Sequence, residues 1–404
     1  MTTAQLSLRP ADLLRVLKDL LRAELKARSG VEYTDAQAAA WTDETLLGSP
    51  ELELDSLELV SIAGRVNELF HLHESGIEDF LLRDRTLGDW VRIVIRGREI
   101  AGDQFTFLTS GSTGSPKPCV HPVAALDQEV DALAAMFAGV ERVVSFVPTH
   151  HIFGFLFTAM LPARLQASVI DARAVASNAV GWSPTDLIVG VPSSYTYLAR
   201  SAAPLAGARA VVSTSAIDAP TIAALREKGL GQLTEVYGSS ETGGLAVRLN
   251  CAGPFTLHPF WRLVPTSNGS LLQRVMPDGT FPAPVVCMDH LRPVAGGFEL
   301  GGRIDHAVKI AGTNVFPRRI EALLREHPLI ADASVRLMRP AEGERLKAFV
   351  VPCQGAITEP STEESLKSQL SQWSREQLTA PEHPKTWTFG PAIPRDQLGK
   401  AADW

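Results

Sequence analysis

Apolar residues recur at spacings of three and four along the start of the chain. Leu13, Leu14, Leu17, Leu20, Leu21 and Leu25 form one such series, which lays an apolar stripe along one side of a helix. A second series follows Asp55-Ser56: Leu57, Leu59, Val60, Ile62, Ala63, Val66, Leu69 and Phe70. A shorter one runs through Leu87, Trp90, Val91 and Ile93. No strand pattern interrupts them, so residues 1–99 predict a small all-helical domain.

The texture changes near residue 100. The β-rich runs Gln104–Thr109, Val143–Val147, Asp186–Val191 and Ala210–Ser213 alternate with helical stretches over Ala124–Phe137, Tyr195–Ala202 and Thr221–Glu227. Strand and helix in alternation predict βαβ units on a largely parallel sheet. After Gly302 the pattern becomes a compact α+β one: Ala307–Ile310, a helix over Pro317–His327, then Ala333–Leu337 and Lys347–Val351. A polar segment, Glu359–Ser365, leads into a further helix and a Pro-rich tail. The expected class is α/β, with a helical domain (1–99), a core with a mixed parallel sheet (100–301) and a small α+β domain (302–404).

Composition narrows the chemistry. With 45% hydrophobic and 21% charged residues among 404, the chain can bury real cores. A formal net charge of -7 gives no bulk basic character, so a nucleic-acid partner is not expected. Cys119, Cys251, Cys287 and Cys353 lie far apart with no CxxC pair, which points to neither a zinc site nor a disulfide framework. The first residues lack the pattern of a secretory signal, and apolar stretches such as Ile152–Leu161 are too short to span a bilayer. A cytoplasmic location is expected.

The sharpest local signal is Phe105-Thr-Phe-Leu-Thr-Ser-Gly-Ser-Thr-Gly-Ser-Pro-Lys-Pro118. A strand ends in Thr109, Ser110, Gly111, Ser112, Thr113 and Gly114, and Lys117 closes the loop. Small residues let the backbone approach an anion, hydroxyls and N–H groups line up toward it, and the lysine adds a positive charge. The spacing is not that of a Walker A loop. This stretch resembles the phosphate loop of the adenylate-forming superfamily, which includes acyl-CoA synthetases, aryl-acid ligases and nonribosomal adenylation domains. Four further motifs of that family follow in its order.

Pro148-Thr-His-His-Ile-Phe-Gly-Phe155 resembles the Pro-x-x-His-x-x-Gly segment, which implies a gate role for His151 between the carboxylate pocket and the thiol tunnel. Glu235-Val-Tyr-Gly-Ser-Ser-Glu-Thr-Gly-Gly244 resembles the Tyr-Gly-x-Thr-Glu motif. The resemblance implies Tyr237 against adenine, Ser240 near the α-phosphate and Glu241 on Mg²⁺, with Gly238 and Thr242 in the same nucleotide-binding turn. Ser240 stands where threonine is commoner. For Asp289, preceded by Cys287-Met288 instead of the usual Thr-Gly, the resemblance implies chelation of the ribose hydroxyls. In Gly301-Gly-Arg-Ile-Asp-His-Ala-Val-Lys-Ile-Ala-Gly312 the resemblance implies ribose or phosphate support from Arg303, a hinge at Asp305 and a place for Gly312 beside the pantetheine arm. Ile393-Pro-Arg-Asp-Gln-Leu-Gly-Lys400 resembles the C-terminal motif whose lysine bridges the substrate carboxylate and the α-phosphate, a charge-stabilising role for Lys400.

The resemblance implies an ATP- and Mg²⁺-dependent ligase. A carboxylate attacks the α-phosphorus, pyrophosphate leaves, and a mobile C-terminal lid then opens a path for a phosphopantetheine thiol. The long form YGSSETGG is similar to ligases of xanthomonadin and aryl-polyene pigment pathways, which points to a short aromatic acid such as 4-hydroxybenzoate. The chain before the phosphate loop is shorter than in typical relatives. There, Glu51-Leu-Glu-Leu-Asp-Ser-Leu-Glu-Leu-Val60 resembles the Asp-Ser-Leu motif of acyl carrier proteins, without its usual preceding glycine. Ser56 is then an expected phosphopantetheine attachment site, or Asp55 or Ser56 simply caps a helix. Tyr195, Tyr197 and residues 213–216 are the expected acyl-pocket lining. The resemblance implies that the thiol acceptor is an acyl carrier protein, its own or a separate one. The alternatives are a CoA or fatty-acyl ligase and a non-catalytic nucleotide-binding or carrier-docking homologue.

Overall fold

The computed structural model describes residues 8–48, 50–109, 117–266, 269–305, 307–310, 313–339, 342–343, 345–353, 360–394 and 404. They divide into two compact units. One runs through Thr109 and takes in Lys117–Cys287 and Leu291–Glu299; the other holds Met288–His290 and Leu300–Trp404.

The first unit begins with α1 (Pro10–Ser29), which starts on Pro10 and stops at Gly30, where φ is 68°. Three capping boxes set the next helices. Thr34 and Gln37 open α2 (Asp35–Ala39), Asp55 and Glu58 open α3 (Ser56–Phe70), and, after the short α4 (Phe80–Arg83), Thr86 and Asp89 open α5 (Leu87–Ile100). The helices end where the hairpin β1 (Gln104–Thr109) and β2 (Lys117–Pro122) begins, and α6 (Val123–Met136) follows.

A seven-stranded sheet comes next in the chain: β3 (Arg142–Ser145), β4 (Ser168–Asp171), β5 (Asp186–Gly190), β6 (Arg209–Val212), β7 (Gln232–Ser239), β8 (Gly243–Leu249) and β9 (Thr256–Leu257). Its order is β4-β3-β5-β6-β7-β8-β9. It is parallel through β7 and antiparallel from β7 to β9. Between β3 and β4 lie α7 (Ile152–Phe155), a π-type turn over Leu156–Met160 and α8 (Leu161–Leu165); α9 (Pro192–Arg200) and α10 (Ala219–Glu227) complete the crossovers.

Alternation on the central strands explains the two sheet faces. Leu187 and Val189 belong to one core together with α1, α3, α5 and α6, while Ile188 faces a second core with Tyr195, Leu198 and Leu225. The helical segment therefore shares its core with the sheet: Leu17, Leu21, Val66, Trp90 and Val94 pack in the same cluster as Phe105, Phe155 and Val211. The change of texture near residue 100 marks a change of secondary structure within one compact unit.

The antiparallel additions were not anticipated from the sequence. They are β8 and β9, the sheet β10 (Trp261–Thr266), β11 (Gly269–Arg274) and β12 (Val285–Val286), and the hairpin β13 (Asp289–Val294) and β14 (Gly297–Arg303). Their apolar periods are short and broken by Gly and Pro, which hides a strand from a periodicity reading.

The second unit carries the hairpin β15 (Val308–Ile310) and β16 (Thr313–Val315), then α11 (Pro317–Arg325). A three-stranded sheet of β17 (Ile330–Leu337), β18 (Leu346–Pro352) and β19 (Thr386–Phe389) follows, with α12 (Pro360–Gln377) between its last two strands. Ile320, Leu324, Val335, Ala348, Leu370 and Trp387 form its own core. Among the described residues no helix is long and apolar enough to cross a membrane.

Candidate active site

The β1–β2 hairpin makes Thr109 and Lys117 direct register partners, so the two ends of the expected phosphate loop are held together across an antiparallel pair. Ser110, Gly111, Ser112, Thr113 and Gly114 lie outside the described residues. Lys117 is exposed and Thr109 half-buried.

The β7–β8 hairpin carries the second motif. Ser239 pairs with Gly243, which leaves Ser240, Glu241 and Thr242 as the turn. Leu245 is bulged out opposite Tyr237 and Gly238, a device that re-aims side chains at a strand end. Glu241 is exposed at the tip. Thr242 is buried, with 5% of its surface exposed, and its hydroxyl donates to the Gly243 carbonyl (2.8 Å) and accepts from the Ser239 N–H (3.1 Å). Thr242 thereby helps to build the turn, its one hydroxyl proton being used inside it. Tyr237 is half-buried, with its ring centroid 5.7 Å from Phe255 and 6.0 Å from Phe298, and its hydroxyl lies 3.7 Å from Cys287 Sγ.

Two buried polar residues fix this turn from below. His121 Nε2, on β2, donates to the Ser240 carbonyl at 2.6 Å, which ties the phosphate-loop hairpin to the acidic turn. Burial, chiefly, holds the His121 ring below its usual pKa. Glu129, on α6, is 1% exposed, and its Oε1 accepts from the Gly244 N–H at 2.8 Å. Burial pushes the Glu129 carboxyl up to about 7, with Arg274 and the Gly244 N–H opposing. Both oxygens of Glu129 fill the space that side chains at the two glycines would take. A Cβ on Gly243 would stand 2.6 Å from Oε2, and one on Gly244 would stand 2.5 Å from Oε1. Trp261 Nε1 donates to the Gly244 carbonyl at 3.0 Å, so this residue is held on both sides.

The histidine motif forms a second turn. Gly154 passes so close to Pro148 that a Cβ would lie 1.9 Å from its carbonyl oxygen, which is why only glycine fits there. The His150 and His151 rings lie with centroids 4.1 Å apart, tilted by 42°. Burial, then His151, Arg173, Arg65 and Arg22, hold His150 well below its usual pKa, and its Nδ1 has no hydrogen-bond partner among the described residues. His151 is exposed. The α1 helix braces this turn: Asp19 Oδ2 accepts from the Thr149 N–H at 2.7 Å, and Asp19 Oδ1 pairs with Arg173 Nη1 at 2.8 Å. Pro162 has no N–H for the Thr158 carbonyl four residues earlier, and Arg15 Nη2 donates to that oxygen at 2.5 Å instead.

In the second unit, Asp289 opens β13 and Arg303 closes β14. Arg303 forks onto Asp305, Nε to Oδ1 at 2.8 Å and Nη2 to Oδ2 at 2.6 Å, and Asp305 Oδ1 also accepts from the Ala307 N–H at 3.1 Å. The Arg303 hydrogen bonds hold Asp305 below the usual carboxylate range. Gly312 and Lys400 lie outside the described residues.

A family model described as AMP-binding enzyme matches residues 100–274, and one described as AMP-binding enzyme C-terminal domain matches residues 319–400. A protein named 4-coumarate–CoA ligase from Halorhodospira halophila is 34% identical over 96% of this chain and 98% of its own length. One of the same name from Rhodobacter capsulatus is 35% identical over 96% and 99%.

The chain belongs to the AMP-binding enzyme family.

It is an AMP-forming acid–thiol ligase, which uses ATP to make an acyl-adenylate. Solved structures agree on the fold. A double mutant of o-succinylbenzoate CoA synthetase from Bacillus subtilis superposes with a TM-score of 0.61 at 15% identity, covering 97% of this chain and 92% of that one. The amide bond synthetase McbA from Marinactinospora thermotolerans gives 0.59 at 18% identity, covering 96% and 92%. The matched ligases cover the helical segment as well as the sheet, since 96% coverage leaves no room to omit it.

The expected acyl-pocket lining of this AMP-binding enzyme needs one correction. Tyr195 is fully buried, and its hydroxyl lies 2.6 Å from the Val211 carbonyl and 3.1 Å from that of Ile188, so it is a core residue with no polar group to offer a substrate. Tyr197, two positions along the same helix, is 51% exposed. Glu129, His121, Asp19 and Arg15 went unnoticed in the sequence. A signal for Glu129 was there: it falls among Ala125, Leu126, Val130 and Leu133, on the apolar face of its own helix.

Proposed function

We propose that this ligase activates an aromatic carboxylic acid and passes the acyl group to the thiol of CoA. The full-length likeness to proteins named 4-coumarate–CoA ligase carries the reading. In it, the residues from Thr109 to Gly114 and Lys117 receive the phosphates, Tyr237 and Gly238 the adenine, and Ser240 the α-phosphate. Asp289 and Arg303 serve the ribose, His151 gates the thiol path, Gly312 leaves room for the pantetheine arm, and the lid turns at Asp305 to withdraw Lys400 from the carboxylate. The donor set at the β7–β8 turn suits Mg²⁺, because Glu241 is an exposed carboxylate and hard oxygen ligands are what that ion takes. Mg²⁺ bound there would neutralise charge on the phosphates. Thr214 supports an acyl pocket at the end of β6: it holds a φ of 78°, costly for a β-branched residue, and its buried hydroxyl has no partner among the described residues.

Carboxylate-dependent ATP–pyrophosphate exchange with 4-coumarate, 4-hydroxybenzoate and fatty acids tests the reading. Aromatic acids should drive exchange and yield CoA thioesters, and Lys400→Ala should lose exchange with the fold retained. Response to fatty acids alone would overturn it. A carrier-borne phosphopantetheine is a second acceptor, with Ser56 itself as one attachment point. Exposure favours that reading: Ser56 begins α3 at the surface, with Leu57 79% and Val60 54% exposed beside it. Intact mass after treatment with a phosphopantetheinyl transferase and CoA decides it; an unchanged mass removes Ser56 from the mechanism.

A further inference from the structure

We propose that Glu129 is the positioning residue of the metal-binding turn: its buried carboxylate holds the Gly244 amide and, through it, the place of Glu241. The proposal rests on the reading of Glu241 as the Mg²⁺ ligand. The reaction as read above gives no role to any group on α6, yet this helix spends a buried carboxylate at the root of the turn.

Three observations make the case. Glu129 Oε1 accepts from the Gly244 N–H at 2.8 Å, directly where β8 leaves the turn. Both carboxylate oxygens occupy the Cβ space of Gly243 and Gly244, so the double glycine and the acid fit as one piece. Gly243 holds a φ of 69°, a left-handed bend that sets the direction of the turn.

The acid is itself held in place. Arg274, 6% exposed, lies 3.9 Å from Glu129 Oε2 and donates through Nε to Gln128 Oε1 at 3.1 Å, and also to the Ala125 carbonyl. A buried carboxylate is costly to desolvate, and an apolar residue on this helix face would pack without that cost. Holding the turn is a function that repays it. Only an acceptor at this spot satisfies the Gly244 amide. Glutamine supplies one; leucine and methionine do not.

The test is pyrophosphate exchange titrated with Mg²⁺ in the full-length enzyme, beside Mn²⁺ binding to the enzyme with ATP, read by water proton relaxation without turnover. In the binding measurement Glu129→Leu should bind Mn²⁺ more weakly, and unchanged binding would overturn the proposal. Glu129→Leu should raise the half-saturating Mg²⁺ and lower kcat by about tenfold, in line with loss of a hydrogen bond to a charged group, with the KM for the acid unchanged. Glu129→Gln should stay within about threefold of wild type, since its amide oxygen still accepts from Gly244. Should Glu129→Leu fail to fold, Gly244→Ala displaces the same contact from the other side and should show the same Mg²⁺ signature. Wild-type Mg²⁺ dependence in Glu129→Leu, an equal rise in the KM for the acid, or no rescue by glutamine would each overturn the proposal. Glu241→Gln separates the two claims. If it leaves the Mg²⁺ requirement untouched, the metal site is misassigned; if it raises that requirement while Glu129→Leu does not, only the role of Glu129 falls.

Discussion

Two exposed turns in the first unit are built alike but braced from different parts of the chain. Ser239–Gly243 presents Glu241, Pro148–His151 presents His151, and beside each a main-chain amide is bonded to a buried carboxylate. For the acidic turn that carboxylate is Glu129, within the span the AMP-binding family model covers. For the histidine turn it is Asp19, on α1, ahead of that span. The helical segment is thus part of the support for a motif that lies well outside it. Asp19, held by Arg173, does at the histidine turn what Glu129 does at the acidic one.

Breaking the α1 brace should have the largest effect. Asp19→Ala leaves the Thr149 amide unbonded and removes one of the two carboxylates that fork onto the mostly buried Arg173. Loss of one partner from a buried pair costs about 3–5 kcal/mol, and the unbonded Thr149 amide puts Asp19→Ala at the upper end, read as a lower denaturant midpoint at unchanged slope. Asp19→Asn keeps an acceptor for Thr149 and should lose less. Equal stability of Asp19→Ala and wild type would mean that α1 lies against the turn without bracing it.

The acidic turn should differ in its response to pH. Burial raises the Glu129 carboxyl from 4.5 to about 7, so the fold favours its protonated form. Between those values the native state binds more protons than the unfolded one, and stability falls as pH rises through the window, then levels off above about 7. Compared with Glu129→Gln, wild type should lose about 3 kcal/mol across it. His258, pushed down to about 4, is present in both proteins and cancels from the difference. Parallel stability curves for the two proteins from pH 4.5 to 8 would sink this account of the turn.

Much of this was legible in the sequence because local rules set it. The leucine series placed α1, α3 and α5, and the Ser/Gly-rich and YGSSETGG motifs lie on the two hairpins that His121 joins, although the second strand of the latter was not foreseen. The bracing residues were not legible, since contacts such as Asp19 to Thr149 span 130 positions and no local pattern encodes them. What a sequence can show is the anomaly: Asp12 and Asp19 sit seven positions apart in α1 and are 0% and 4% exposed. Tyr195 failed in the opposite sense. Its position suggested a pocket, while burial and two backbone carbonyls made it core.

The smallest expected effect is at the start of α3, where the helical segment turns outward instead of toward its brace. Asp55, not Ser56, supplies the cap: its Oδ1 accepts from the Glu58 N–H at 2.8 Å, and Glu58 Oε2 accepts from the Asp55 N–H at 3.1 Å. Asp55→Ala should therefore cost about 1 kcal/mol, and Ser56→Ala, an exposed first-turn change with no cap to lose, under about 0.5 kcal/mol. Thermal unfolding of the two variants beside wild type checks the ranking. A cost at Ser56 equal to that at Asp55 would show that the serine hydroxyl shares the capping. If the ranking holds, Ser56 is spare in the fold, and any loss of acyl transfer in Ser56→Ala would then belong to chemistry on its hydroxyl and not to the helix.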